Sequence, residues 1–260
     1  MADPVPLQFS LIRRILLPHD GDASLLALSG NRLWAEEMYG DQWLAQHELD
    51  LNRGIVASAD EDEGRRTDLK PLTIPDGAVA PRRAWATMRL NFAGARHRGL
   101  REEDRLAEVL HAIPVADKFA LADWLQVASP AVLGIAESYV LAECPLAAPD
   151  DWLLCRRLRI AVAIPRQIGA DGLPFDYEAR TIFVLQRWTV GGDDPPLESA
   201  LSGLDGVALH RPMDCLRDGE RLLVAEGGAP GQPAAISLIQ MAGLPAPRDR
   251  DAELLKKLYG

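Results

Sequence analysis

Short apolar segments with nearly the same amino-acid sequence recur along the chain. RLWAE ends at Glu36, YVLAE ends at Glu143 and LLVAE ends at Glu226. Two similar segments, AWATM at 84–88 and TIFVL at 181–185, lie between them. Five strand-like segments therefore recur at intervals of roughly 40 to 55 residues, which is typical of β-propeller blades, each a four-stranded antiparallel sheet.

Further apolar runs flank the repeated segment in three of the five units. The run before it, at 24–31, 131–138 and 212–220, is predicted to be a strand followed by a turn, and the turns SGN and RDGE contain the Gly and Asn residues that accept positive φ. The run after it begins a third strand, at 42–51, 151–160 and 234–241. We therefore predict a mainly β chain, a β-propeller of five or six four-stranded blades.

The N-terminal segment 9–17 is also strand-like but has no strand next to it in sequence with which to pair. A single blade cannot bury both of its apolar faces, so blades must stack and the ring must close. We therefore predict that segment 9–17 is the outer strand of the last blade, at 212–241. Residues 1–248 then form one β-propeller domain, and residues 249–260 form a C-terminal amphipathic helix.

A helical insertion is predicted near 101–128. Residues 101–113 place their apolar side chains at helical spacing, and residues 115–128 fit either a helix or an outer strand. The alternative fold is a mixed α+β domain in which residues 101–143 are a run of helices. The recurrence of the short segments favours the propeller.

The last unit combines a proline, a short apolar strand, an Asp-Gly turn, the LLVAE strand and a final apolar strand. The residues that carry this pattern are Pro212, Asp214, Asp218, Gly219, Leu222–Glu226 and Ile236. With them, residues 210–241 resemble a blade of the NHL propellers. The resemblance implies a propeller blade and no particular activity.

Charge and composition narrow the function classes. A net charge of −10 argues against binding to nucleic acid or to anionic lipid. No apolar run approaches the length of a membrane span. Arg13 and Arg14 interrupt the apolar part of the N-terminus, which argues against a secretory signal. We expect a cytoplasmic protein that binds neither membranes nor nucleic acid.

Two polar stretches carry the weak candidates for a metal site. PHDGD contains His19 and Asp22, LHRPMD contains His210 and Asp214, and both stretches open a predicted inner strand. In a propeller these positions lie at the mouth of the central channel, where a histidine with nearby carboxylates could hold Ca²⁺ or Zn²⁺. The alternative is that both stretches are plain polar turns and that Asp214 makes a structural hydrogen bond.

Other polar residues receive structural interpretations. The glutamates that end the repeated segments are predicted to end their strands at solvent, and the acidic run 58–64 is predicted to be a solvated loop tip. The cysteines show no C-x-x-C spacing and are predicted to be buried or incidental thiols; they are Cys144, Cys155 and Cys215.

These observations predict a non-catalytic interaction scaffold without a cofactor, which presents its loops and its C-terminal helix to partner proteins. The predicted partner-binding residues are Leu254, Leu255 and Leu258, the apolar side of the tail helix. Two alternatives stay open. One is a propeller hydrolase or lactonase with a Ca²⁺ or Zn²⁺ ion at the channel mouth. The other is a structural subunit of a large bacterial assembly.

Overall fold

The chain is mainly β, as the sequence predicts. The structure is a computed structural model that describes residues 7–39, 42–60, 72–81, 115–146, 151–165, 175–189, 201, 204 and 206–243. The strands are β1 Gln8–Leu16, β2 Asp22–Ser29, β3 Arg32–Tyr39, β4 Gln42–Asp50, β5 Gly54–Asp60, β6 Val132–Pro145, β7 Asp151–Pro165, β8 Phe175–Thr189, β9 Pro212–Asp218, β10 Arg221–Glu226 and β11 Ala235–Ala242. The described helices are α1, Val115–Leu125, and a 3₁₀ turn at Ser129–Ala131.

The strands form three antiparallel sheets. The first sheet has the order β2-β3-β4-β5, the middle sheet β6-β7-β8 and the last sheet β1-β11-β10-β9. Glycines lie in the predicted turns that join β2 to β3 and β9 to β10. Gly30 and Gly219 both have φ of +59°, in the left-handed region that a two-residue hairpin turn requires. The hairpin chemistry that the sequence shows at these two positions is therefore used.

Strand β1 is the outer strand of the last sheet, the location expected for segment 9–17. It pairs antiparallel with β11, with Arg14 opposite Ser237 and Ile15 opposite Ile236. Ile15 is buried among the side chains of the first and last sheets. The last sheet is thus built from both ends of the described chain.

The three sheets stack in the order first, last, middle. Leu33 and Ala35 of β3 share an apolar cluster with Leu223 and Ala225 of β10, between the first and last sheets. The other face of β10, with Leu222 and Val224, joins a second cluster with the middle sheet. Buried side chains on both faces of β10 explain why the LLVA run shows no alternation.

The middle sheet corrects the interpretation of the third unit. Residues predicted as two strands joined by a turn, at 131–138 and 139–143, form one continuous strand, β6. The alternative in which residues 101–143 are a run of helices is wrong for residues 132–143, because they pair along β7. Residues 115–125 are helical, as one of the two predictions for that segment had it.

Helix α1 covers one face of the middle sheet. Its buried residues Leu121 and Ala122 pack in a third cluster with Leu158 and Ile160 of β7 and Ile182 of β8. No helix among the described residues is long and apolar enough to cross a membrane. The described residues also contain no closed ring of sheets.

Several predictions fall outside the described residues. They are the AWATM strand at 84–88, the helical segment 101–113, the tail helix 249–260 and its residues Leu254, Leu255 and Leu258.

Candidate functional site

The two polar stretches singled out in the sequence lie side by side, at the starts of β2 and β9. The backbone N–H of Gly228 donates to the carbonyl of Gly21 at 2.7 Å, and Ala234 N–H donates to the carbonyl of His19 at 2.8 Å. A Cβ at Gly228 would lie 2.5 Å from the backbone of Asp20, so only glycine allows this close approach. The first and last sheets are therefore joined here through backbone contacts.

Arg211 is the centre of this junction, and the sequence analysis missed it. Its guanidinium donates to Asp22 Oδ1 at 2.8 Å and to the carbonyl of Gly228, and it stacks on Phe183 of β8 at 4.8 Å from the ring centroid. Its φ of +46° is unfavourable for a residue with a side chain, so the surrounding contacts must hold it. One side chain thus touches all three sheets.

Asp214 makes structural hydrogen bonds. Its Oδ2 accepts the backbone N–H of Leu25 on β2 at 3.0 Å, and its Oδ1 accepts the N–H of Cys215 at 2.8 Å. Because Asp214 is buried, these two bonds satisfy a carboxylate that water does not reach. Its role here is to tie β9 to β2.

The remaining metal candidates do not gather around a common point. The Asp22 carboxylate faces Arg211, and the backbone N–H groups of His19 and His210 donate to two different glutamates. No cluster of three potential metal ligands exists within the described ranges.

A shallow cleft borders Arg211 on the side of the middle sheet. It lies between α1, β8 and the start of β9, and is lined by Trp124, Phe183, Val184, Leu185, Leu201, Leu209 and Pro212. It is open to solvent. Its free volume is about 20 Å³, room for about one water molecule, so it is a surface depression and not a small-molecule site.

A second polar feature is a pair of buried glutamates, one in each four-stranded sheet. In the last sheet, Glu226 is 2% exposed and accepts hydrogen bonds from Arg14 Nε at 3.1 Å, from the Ser237 hydroxyl and from the backbone N–H of His210. The expectation that Glu226 ends its strand at solvent is therefore wrong. The carboxylate is retained in the core because each of its oxygens has a donor.

In the first sheet the buried carboxylate is Glu37. Its Oε1 accepts the backbone N–H of His19 at 3.2 Å, and its Oε2 lies 2.8 Å from His47 Nε2. The other ring nitrogen of His47, Nδ1, lies 2.8 Å from Ser58 Oγ. The side chains of Glu37 and His47 are both 0% exposed, whereas Ser58 is exposed.

The two glutamates occupy equivalent places. Each follows the turn glycine of its hairpin by seven residues, Glu37 after Gly30 and Glu226 after Gly219. The sequence alignment instead matched Glu226 with Glu36, which lies on the opposite face of β3 and accepts from Ser24 at 2.9 Å. The error is one residue, and in a strand one residue exchanges the faces.

The partners of the two glutamates correspond as well. Ala35 pairs with His47 on the third strand, and Val224, at the same place in β10, pairs with Ser237. On the fourth strand, Ser58 lies opposite His47 and Arg14 lies opposite Ser237. In both sheets a row of hydrogen-bonded polar side chains therefore crosses the same three strands at equivalent positions. The residues that form the row differ between the two sheets.

The acidic run 58–64 contributes to this chain, which the sequence analysis did not anticipate. Ser58 belongs to β5 and pairs with His47, so the start of the run is not a loop tip. The two β-branched residues Ile55 and Val56 are the signal that would have indicated a strand at this position.

The three cysteines lie in the core between the middle and last sheets, so they are buried, one of the two predicted alternatives. A hydrogen bond with Cys215, together with burial, raises the pKa of the Cys144 thiol. Burial raises the pKa of the Cys155 thiol. Neutral, buried thiols are poor nucleophiles and poor metal ligands, so this cluster serves packing.

Comparison with known proteins adds no family. The chain matches no protein-family model, and no curated protein or solved structure is significantly similar to it.

Proposed function

We propose that the chain is a β-propeller scaffold whose binding of partner proteins involves no catalysis. The partners bind at the cleft between α1, β8 and Arg211. The observation that carries the proposal is the exposed aromatic surface beside Arg211. The proposal has two parts, the ring and the binding surface, and they rest on different observations.

The ring is supported by how the sheets stack. The face of the first sheet that carries Leu33 and Ala35 packs on the last sheet, and the equivalent residues of the last sheet, Leu222 and Val224, pack on the middle sheet. Using the same face toward the next neighbour each time is how a closed ring of blades propagates. The N-terminal strand completing the last sheet is the clasp that such a ring needs.

The binding surface is supported by its side chains. Trp124 is 49% exposed and Phe119, on the same helix, is 60% exposed. Tryptophan and arginine are enriched among the residues that dominate the free energy of protein association, particularly where an apolar pocket takes an anchor side chain. Arg211 is held in place by Asp22 and Phe183, so little side-chain entropy would be lost on binding.

The test compares capture of partners by three proteins: wild type, Trp124→Ala and Tyr39→Ala. Tyr39 is the matched control, because it is an aromatic residue that is 69% exposed and lies on the first sheet. Partners found with wild type by quantitative mass spectrometry are then titrated as purified proteins. We expect Trp124→Ala to weaken binding at least ~10-fold, the effect of a hot-spot residue, while Tyr39→Ala binds like wild type.

Unchanged affinity of the Trp124→Ala protein, at wild-type melting temperature, would exclude the cleft as the contact surface. The tail leucines Leu254, Leu255 and Leu258 remain a second proposed contact on sequence grounds. Deletion of residues 249–260 tests them in the same titration, and we expect weaker binding by a protein whose melting temperature is unchanged.

A further inference from the structure

We propose that Ser58 is an activated nucleophile that accepts acyl groups from activated esters, with His47 as its general base and Glu37 as the residue that positions His47. This is a chemical activity beyond the scaffold role, and it concerns a different face of the molecule from the cleft.

The geometry is that of a nucleophile, a base and an orienting carboxylate. Ser58 Oγ lies 2.8 Å from His47 Nδ1, and His47 Nε2 lies 2.8 Å from Glu37 Oε2. Both distances are within the range of about 2.6–3.2 Å required for proton transfer along such a chain. The three residues come from neighbouring strands β5, β4 and β3, so a rigid antiparallel sheet holds them in register.

The hydrogen bonds determine which nitrogen of His47 carries the proton. An ionised Glu37 can only accept, and its Oε1 already accepts the backbone N–H of His19. The hydrogen bond between Glu37 Oε2 and His47 Nε2 therefore requires a proton on Nε2. Neutral His47 then has its lone pair on Nδ1, and Ser58 must donate its hydroxyl proton to it. Histidine thus faces serine as a base, with its two ring nitrogens exchanged relative to the Ser-His-Asp triad.

The three residues differ in burial: the base is protected from solvent, and the nucleophile is accessible. The His47 and Glu37 side chains have no exposed surface, so water does not compete for their hydrogen bond. Ser58 is exposed on β5, which is the edge strand of the first sheet among the described residues. An ester can therefore reach the hydroxyl although it cannot reach the imidazole.

The reaction is an acyl transfer from an aryl ester. Ser58 Oγ attacks the carbonyl carbon and forms the new C–O bond while its proton passes to His47 Nδ1. The bond to the aryl oxygen breaks, and the aryl oxide leaves with the electron pair, while the proton stays on His47 Nδ1. The products are O-acylated Ser58, an aryl oxide and a protonated His47 beside the Glu37 carboxylate, and no oxidant, reductant or metal takes part.

The molecule contains two internal comparisons for this site. Ser24 donates directly to the carboxylate of Glu36 at 2.9 Å, so a carboxylate stands where Ser58 has a histidine. At the equivalent place in the last sheet, Ser237 donates directly to Glu226, and Arg14 stands where Ser58 stands. Among these, Ser58 alone donates to an imidazole.

The experiment is acylation of the intact protein with p-nitrophenyl acetate, followed by peptide mapping by mass spectrometry. In wild type we expect Ser58 to be acylated at least ~100-fold faster than Ser24, the contribution typical of a general base. His47→Gln should reduce the rate at Ser58 to that at Ser24. Equal rates at the two serines of the wild-type protein would overturn the proposal, and that comparison does not depend on whether any variant folds.

The role of Glu37 needs a readout that a structural residue would not change. In Glu37→Gln we expect slower acylation of Ser58 and, in ¹⁵N NMR spectra, loss of the single Nε2-protonated form of the His47 ring. A wild-type ring that already mixes the two neutral forms, or one protonated on Nδ1, would contradict the assignment of His47 as base. This outcome would leave the cleft and its partners unaffected.

Discussion

The first and last sheets share one architecture and differ in how it is completed. Each has four antiparallel strands, a glycine turn after its first strand and a buried glutamate at the end of its second. In the first sheet the partners of Glu37 on the third and fourth strands, His47 and Ser58, follow it within the same short stretch of chain. In the last sheet the fourth strand comes from the other end of the chain, and it supplies Arg14.

The comparison shows what the sheet geometry fixes and what it leaves variable. It fixes a buried carboxylate, because the backbone N–H that precedes the first strand needs an acceptor. Glu37 accepts from the N–H of His19, and Glu226 accepts from the N–H of His210. It leaves the other donors variable, provided that each carboxylate oxygen is satisfied. An imidazole with a serine and a serine with a guanidinium are two solutions to the same requirement.

The largest difference is expected when the N-terminal strand is removed. Deletion of residues 1–17 should abolish cooperative folding of the last sheet, because it removes the Ile15 and Leu17 side chains from the core and leaves one edge of β11 unpaired. Loss of these two side chains alone costs about 3–6 kcal/mol of hydrophobic stabilisation. Hydrogen exchange of β9–β11 amides, compared with β2–β5 amides, measures the effect.

A matched pair of substitutions separates the stability that β1 contributes by packing on the core from the stability that it contributes by pairing with β11. Ile15 is buried and its neighbour Leu16 is exposed, on the same strand. Ile15→Ala should cost about 2–5 kcal/mol in urea unfolding, and Leu16→Ala less than about 0.5 kcal/mol. Equal costs would mean that β1 does not pack on the core as the structure has it.

The second comparison is between the glutamates. Glu37→Ala leaves the fully buried His47 ring and an N–H without acceptors, and we expect a loss of about 3–5 kcal/mol. Glu226→Ala should cost less, about 2–3 kcal/mol, because Arg14 is partly exposed and can turn to water.

Glu36→Ala is the control for both, since Glu36 is only partly buried and lies on the opposite face of β3 from Glu37. We expect it to cost no more than about 1 kcal/mol. Denaturant unfolding of the three variants gives the ranking. A cost of Glu36→Ala as large as that of Glu37→Ala would show that the register of the first sheet is shifted by one residue.

The smallest effect is expected at the two turns, where the sheets should behave alike. Gly30 and Gly219 have the same φ of +59° and open space around the Cβ position. Alanine at either position is therefore strained by its backbone alone, at a cost of roughly 1 kcal/mol in each case. Melting temperatures of the two variants should fall by the same amount. Unequal shifts would indicate that the two hairpins are not equivalent.

Much of the local structure was predictable from the sequence, and the errors have physical causes. The SGN and Asp-Gly turns identified both hairpins, because only residues that accept positive φ can close them. The segment 131–143 was divided into two strands because apolar content does not report whether a strand continues through its middle; pairing with β7 decides that. Glu36 was chosen over Glu37 because both are glutamates, and only the register tells which faces the core.

The polar contacts are where prediction stopped. The sequence pointed to His19, Asp22 and His210. Arg211, which joins the three sheets, lies in the same stretch as His210 but belongs to no recognisable motif. Ser58 lay in a run whose acidic residues indicated a loop. Neither His47 nor Glu37 was singled out, because their proximity depends on pairing between strands and not on spacing along the chain.

By itself the sequence determined the short-range elements of this protein: where strands form, where hairpins turn and which segments are apolar on both faces. These depend on backbone preferences and burial patterns that act over a few residues. The tertiary structure alone decided that β1 joins β11, that Arg211 bridges three sheets and that Ser58, His47 and Glu37 lie in line. Those arrangements depend on which strands pair and in which register, and that choice is made by contacts between distant parts of the chain.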